Sequence, residues 1–135
     1  MQTQFALVVA EKDLDELGHV NNARYFDFLE SARMDWYAKV ELFETVERLE
    51  GSPEFGTVVV NINIDFRREC LLDEALNIVT SAHRMGSKSL ALRQIMYKPD
   101  GALAADAVVT SVVMDLRSRS TITLPESLRP LFPSD

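Results

Sequence analysis

This sequence is short of cysteine and histidine, and its basic residues are outnumbered by its acidic ones. Its 135 residues include one cysteine, Cys70. A single thiol excludes an internal disulfide framework and any metal site built of thiolates alone. Two histidines, His19 and His83, stand far apart, with no carboxylates at spacings that would complete a zinc set, so no metal is expected. Lys and Arg total 14 against 21 Asp and Glu, a net charge of -7. That shortage of cations argues against nucleic acid, whose affinity comes largely from contacts to phosphate, and against an anionic membrane surface. No apolar run approaches the roughly 20 residues that span a bilayer. The N-terminus, "MQTQFALVVAEKDLDE", lacks the basic start of a signal peptide. The expectation is a cytoplasmic protein.

What is present is a chain able to build a core. With 47% hydrophobic residues and no repeat, low-complexity tract or linker, residues 1–135 read as one domain. A chain of this size removes roughly two-thirds of its unfolded surface from water.

The elements follow from periodicity. "QFALVVA" (4–10) predicts a first strand, and residues 13–21 are polar and irregular, with Gly18 as a breaker. From Asn22 the period changes. Tyr25, Phe26, Leu29, Ala32, Trp36 and Val40 recur at steps of three and four, one face of a helix to about residue 40. Arg24, Asp27, Ser31, Asp35 and Lys39 fall opposite. Either Asn21 or Asn22 can cap the first turn. Residues 43–56 predict a short second helix, ended by Gly51 and Pro53.

The remainder predicts strands. Val58, Val60, Ile62, Ile64 and Phe66 alternate through 57–66 as one apolar face. Strands at 75–84, 90–97 and 102–117 follow, joined by turns at "MGSK" and "KPDG". The last is a long run with little alternation, as in a strand covered on both faces. The tail "PESLRPLFP" predicts one helical turn. One long helix and five strands, linked mostly by hairpins, make an α+β protein in which the helix must cover one face of an antiparallel sheet. A curved five-stranded sheet wrapped around one long helix is the hotdog fold.

The polar residues gather at the mouth of that helix, in "DLDELGHVNN" (13–22). Gly18 permits a positive φ and close approach of a ligand to the backbone. The helix's first N–H groups have no partner within it, and such orphan donors can hold a developing oxyanion. A carboxylate in the same loop can attack a carbonyl or deprotonate a water.

"DLDELGHVNNARYFDFLESAR" resembles the signature of the 4-hydroxybenzoyl-CoA thioesterase family of hotdog acyl-CoA thioesterases, Asp-x-Asp-x-x-Gly-His/x-Val-x-x-x-x-Tyr, on Asp13, Asp15, Gly18, Val20 and Tyr25. "IDFRRECLLDEALNI" and "RMGSKSLAL", the latter with Gly86 and Ser89, extend the likeness to about residues 5–117. "RREC" (67–70) departs from the family's usual Arg-Pro-Ala, a change expected to affect strand-end geometry more than chemistry.

The resemblance implies hydrolysis of an acyl-CoA thioester to the free acid and coenzyme A. Coenzyme A is then part of the substrate, and no cofactor is needed. It implies Asp15 as nucleophile or general base and the backbone amide of Asn22 as oxyanion donor; His19, where many relatives carry an apolar residue, reads as an auxiliary site residue or a satisfied loop histidine, and Asn21 as assisting. Gly18, Tyr25 and the Gly-x-x-Ser turn at Ser89 fall in its substrate-binding segments. Asp13 reads as structural or as a support behind Asp15, Glu16 as a solvated turn residue and His83 as structural. Glu30 is the alternative carboxylate, because other hotdog thioesterases use a helix glutamate, but it lies about 100° around the helix from Leu29. Arg67, Arg68, Arg84 and Lys88 are candidate contacts for the phosphates of coenzyme A. A homodimer or homotetramer is implied, and open sheet edges supply a physical reason for one. The net charge of -7 slightly disfavours an acidic carrier protein in place of coenzyme A. Two rival readings are a hotdog hydratase or dehydratase and a non-catalytic acyl-CoA-binding hotdog protein.

Overall fold

Hairpins between sequence neighbours build the centre of the sheet. In the computed structural model, which describes residues 1–51 and 54–134, β3 (Ala75–Met85), β4 (Ser89–Tyr97) and β5 (Leu103–Asp115) pair in succession, antiparallel. β1 (Gln2–Val8) adds to β3 and β2 (Phe55–Phe66) to β5, giving the order β1-β3-β4-β5-β2. β6 (Ser120–Thr121), which the sequence does not announce, pairs with the end of β5. α1 (Asn22–Lys39) packs across one face of this curled sheet, the expected hotdog arrangement. α2 (Leu42–Glu50) follows directly and ends at Gly51 in the left-handed region. Phe55 and Gly56 belong to β2 rather than to this helix, and Pro53 lies outside the described residues. The tail forms a 3-10 turn at Glu126–Leu131. Among the described residues, no helix is long and apolar enough to cross a membrane.

The buried stripe of α1 is Tyr25, Phe28, Leu29, Ala32, Arg33, Trp36 and Tyr37. It is rotated from the expected one. Phe26 is 38% exposed and rests edge-on against Phe66, while Phe28 and Tyr37 face inward. Adjacent helical residues differ by about 100°, so a stripe centred on Tyr25, Leu29, Ala32 and Trp36 can take either flank. The sheet takes the flank with Phe28, Arg33 and Tyr37. Gln94, fully buried on β4, explains how a charged residue is tolerated there. Its amide nitrogen donates to the Leu29 carbonyl (2.9 Å) and the Thr80 hydroxyl (3.0 Å), and its oxygen accepts from Arg33 (3.1 Å). Those bonds tie the middle of α1 to the sheet.

Two apolar clusters divide the core lengthwise. One gathers Val9, Val20, Tyr25, Leu29, Cys70 and Leu76 around the start of α1. The other gathers Trp36, Tyr37, Leu42, Met85, Leu90 and Phe132 around its end. Each buried large side chain contributes about 1.5–3 kcal/mol.

β2 departs from the predicted alternation. A bulge at Val60 shifts its pairing with β5: Val59 opposes Ser111, but Asn61 opposes Thr110. Ile62, Ile64 and Phe66 therefore share the face of the buried Ala105, Ala107 and Val109. Before the bulge, Phe55, Thr57 and Val59 take that face instead of Val58 and Val60. An extra unpaired residue reverses the parity of everything on one side of it. β5 also differs from expectation: its helix-facing side is buried and its outer side half-buried, because the chain has one sheet with a helix on one face.

Candidate active site

The loop between β1 and α1 is held from both ends. Asp13 is buried, accepting from the Ala10 amide (2.9 Å) and from the Arg24 side chain (3.0 and 2.8 Å). Burial opposes its charge, but the Ala10 amide and the Arg24 guanidinium prevail and hold its carboxyl below the usual carboxylate range. Its carbonyl also receives the Asn21 amide (3.0 Å). Asp13 thus clips the loop to the first turn of α1, the structural role expected for it.

Inside that clip the chain folds back tightly. Asp15 N–H donates to the His19 carbonyl (2.9 Å) and Gly18 N–H to the Asp15 carbonyl (3.1 Å), with Leu14 bridged to Val20. Gly18 takes φ +82°, and the space beside its α-carbon is open, so glycine is required by conformation rather than crowding. The fold-back sets the Asp15 carboxylate against His19. One oxygen lies 3.3 Å from His19 Nδ1 and the other accepts from the Leu17 amide at 2.9 Å. Both side chains remain partly open, at 27% and 29%.

At the helix start, the side chain of Asn21 caps by accepting from Ala23 N–H (2.9 Å), and the Asn21 carbonyl receives Arg24 N–H (2.8 Å). Asn22 N–H has no acceptor among the described residues. Capping thus leaves one orphan donor, at the position the family signature implies.

A cavity of about 190 Å³ opens beside these groups, lined by His19, Asn22, Tyr25, Phe66, Arg67 and Arg68 among others. His19 faces it, and Asp15, behind the imidazole, is not part of its wall. Tyr25 closes one side with only 2% exposure. Its hydroxyl donates to the Arg68 carbonyl (3.0 Å), its ring meets Phe66 edge-on, and burial pushes its pKa upward. The 67–71 segment lies against the loop through Val20 N–H to the Cys70 carbonyl (2.9 Å) and a bridge between His19 and Leu71. Arg67 and Arg68 of the unusual "RREC" therefore stand at the cavity. The departure from the family's pattern thus falls in the cavity wall. Phe66 and Glu69 were not anticipated there, and only their nearness to that sequence departure could have pointed to them.

Arg84, Lys88 and Ser89 are not brought to this cavity. They lie at the far end of β3 and in the turn and first residue of β4, where neighbouring Met85 and Leu90 pack in the second cluster. β3 has 11 residues, Ala75–Met85, and runs roughly 33 Å at about 3.3 Å per residue step. Within one chain these residues and the Asp15 loop occupy opposite ends of the sheet. Arg84 instead lines a separate cavity with Glu126, Arg129 and Phe132. Glu30 lines a third, away from His19. No cluster of three or more potential metal ligands exists among the described residues.

Residues 9–132 match the sequence pattern of the thioesterase-like superfamily. The long-chain acyl-CoA thioesterase FadM of Escherichia coli (strain K12) is 38% identical over 130 residues, covering 96% of this chain and 94% of that one. The crystal structure of YbaW, described as a probable thioesterase from Escherichia coli, superposes with a TM-score of 0.76 at 37% identity, covering 96% and 94% of the two chains. SAV2348 of Staphylococcus aureus, solved in complex with CoA, shares the fold at a TM-score of 0.81 and 16% identity, covering 100% of this chain and 88% of its own.

Proposed function

The chain belongs to the thioesterase-like superfamily and is a thioester hydrolase, and we propose that it cleaves long-chain acyl-CoA through the Asp15–His19 pair and the Asn22 amide. The observation that carries this reading is the geometry of one cavity walled by His19 and Asn22, with the Asp15 carboxylate against the far side of the imidazole. The thioester carbonyl oxygen points at Asn22 N–H. A water between His19 and the carbonyl carbon loses its proton to the imidazole, whose positive charge the Asp15 carboxylate stabilises. The water oxygen bonds to the carbonyl carbon, and negative charge collects on the oxygen facing Asn22. The intermediate then collapses, the carbon–sulfur bond breaks, and the imidazolium returns its proton to the sulfur of coenzyme A. Arg67 and Arg68 suit the phosphates of coenzyme A by charge.

Two copies pairing edge to edge belong to the same reading. β2 is an outer strand of the sheet, and Val58, Val59 and Val60 on it are 38–57% exposed, an uncovered edge suited to strand pairing.

The experiment is free-thiol release from acyl-CoAs of short, long and aromatic type, by wild type and Asp15→Asn. The expected result is turnover of long-chain substrates that collapses in the variant while fold and oligomer size are kept. Equal activity in both proteins would discard the Asp15–His19 mechanism. Tight acyl-CoA binding with no turnover would favour the binding-protein alternative.

A further inference from the structure

A second cavity, of about 500 Å³, lies between α1, α2 and β2. Met34, Phe43, Phe55 and Val59 give it an apolar wall. Arg33 and Tyr37 also line it, and both are more than nine-tenths buried. The Tyr37 hydroxyl is buried without a hydrogen-bond partner. Arg33 makes one side-chain bond, to the neutral Gln94 amide, and no carboxylate lies within ion-pair distance among the described residues. Leaving buried donors unsatisfied costs about 1–3 kcal/mol each. The guanidinium sits beside the hydroxyl, close enough for each to feel the other, and the Glu30 carboxylate acts on the guanidinium from farther off. A neighbouring cation attracts the oxygen lone pairs of Tyr37, which leaves its O–H free to turn toward the cavity.

This cavity and the one at His19 lie along the same seam between α1 and β2. The first takes Asn22, Tyr25 and Phe66; the second takes Met34, Tyr37, Phe55 and Val59. Arg33 and Tyr37 stand roughly 16 and 22 Å beyond Asn22 along α1, at about 1.5 Å per residue. That is the scale of an extended medium- to long-chain acyl group.

Given the acyl-CoA thioesterase reading above, on which this rests, we propose that the cavity takes the far end of the acyl chain. Tyr37 and Arg33 there donate hydrogen bonds to an oxygen that the chain carries, and the preferred substrates are long acyl groups ending in a hydroxyl. Glu30 and Glu47, both exposed and lining the same cavity, offset the pull of the Arg33 guanidinium on a terminal carboxylate, so a neutral hydroxyl is the end group the cavity suits. A plain methyl end fills the same space but leaves the Tyr37 O–H unpaired.

The test compares kcat/KM for lauroyl-, myristoyl- and palmitoyl-CoA with that for their ω-hydroxy counterparts, in wild type and Tyr37→Phe. Wild type is expected to prefer the hydroxylated member of at least one pair by roughly three- to tenfold. Tyr37→Phe, which keeps the ring volume, is expected to abolish that preference by losing rate on the hydroxylated substrate alone. Equal use of both members of every pair by wild type overturns the proposal and leaves the thioesterase reading standing, whatever the variant does. An unchanged preference in a folded Tyr37→Phe overturns it as well. Turnover of no acyl-CoA at all removes the thioesterase reading, and this proposal with it.

Discussion

The Asp15 carboxylate lies 3.3 Å from Nδ1 of His19, and of the two it is the imidazole that faces the cavity. The carboxylate's other oxygen is held by the Leu17 amide, so its orientation is set by the loop's own backbone. A carboxylate placed behind a histidine orients the ring and stabilises its charged form.

His19→Gln is therefore expected to lower kcat by about two orders of magnitude or more, within the usual range for losing a positioned base. Steady-state and single-turnover thiol release measure it. Nearly full activity in the variant, alongside collapse in Asp15→Asn, would mean that the carboxylate acts on the substrate or water directly.

Asn22 offers a way to remove a backbone donor without breaking the helix. Asn22 is the first residue of α1, where proline is well tolerated, and Asn21 already has the extended φ and ψ, -61° and 135°, that a following proline requires. Asn22→Pro is expected to keep the melting temperature within a few degrees and to cut kcat by roughly two to three orders of magnitude. Asn22→Ala, which keeps the N–H, should retain most activity. Equal rates in the two variants would show that this amide does not hold the oxyanion.

Asp13 predicts an acid dependence of stability. Its folded pKa lies below its ordinary value, so its contribution is fully present above the unfolded carboxylate range. That contribution is lost as the pH falls through the lower, folded value. Asp13→Asn should lose about 1–3 kcal/mol at neutral pH through its broken bonds to Ala10 and Arg24. In urea unfolding, the gap between wild type and variant should narrow below about pH 4. A gap unchanged down to the most acidic pH at which both proteins fold would refute this.

Gly18→Ala tests the loop's conformation in isolation. No atom lies within 4 Å of the added methyl, so the cost is the backbone's at φ +82°. About 1–2 kcal/mol of stability should be lost, read from denaturant midpoints, with activity falling as the Asp15–His19 approach loosens. A variant as stable as wild type would mean that the loop relaxes to negative φ.

The elements of this fold were legible because local rules govern them. The 3.6-residue period from Tyr25 to Trp36 marked α1 to within one residue of its observed end, and Asn21 caps it as an asparagine before an apolar periodic run should. The "KPDG" turn separates β4 from β5, and Gly51 ends α2. The loop of the candidate site was legible in another way, through a spaced set of polar residues at a helix mouth. β1 was shifted by two residues, starting at Gln2 and ending at Val8, because an apolar run does not say where its pairing stops.

By itself, then, the sequence determined the order and kind of the main elements, and that Asp13, Asp15, Gly18, His19 and Asn22 crowd one helix start. These are properties of near neighbours, set by side-chain period, backbone preference and capping. The tertiary structure alone decided that Phe26 is exposed while Arg33 is buried, because Gln94 and Thr80 approach that flank of α1 from distant strands. It also decided that Val60 bulges, and that Arg84, Lys88 and Ser89 stand at the far end of the sheet from His19. Each of these depends on which strand lies beside which and in what register, and pairing between residues far apart in the chain leaves no local period to read.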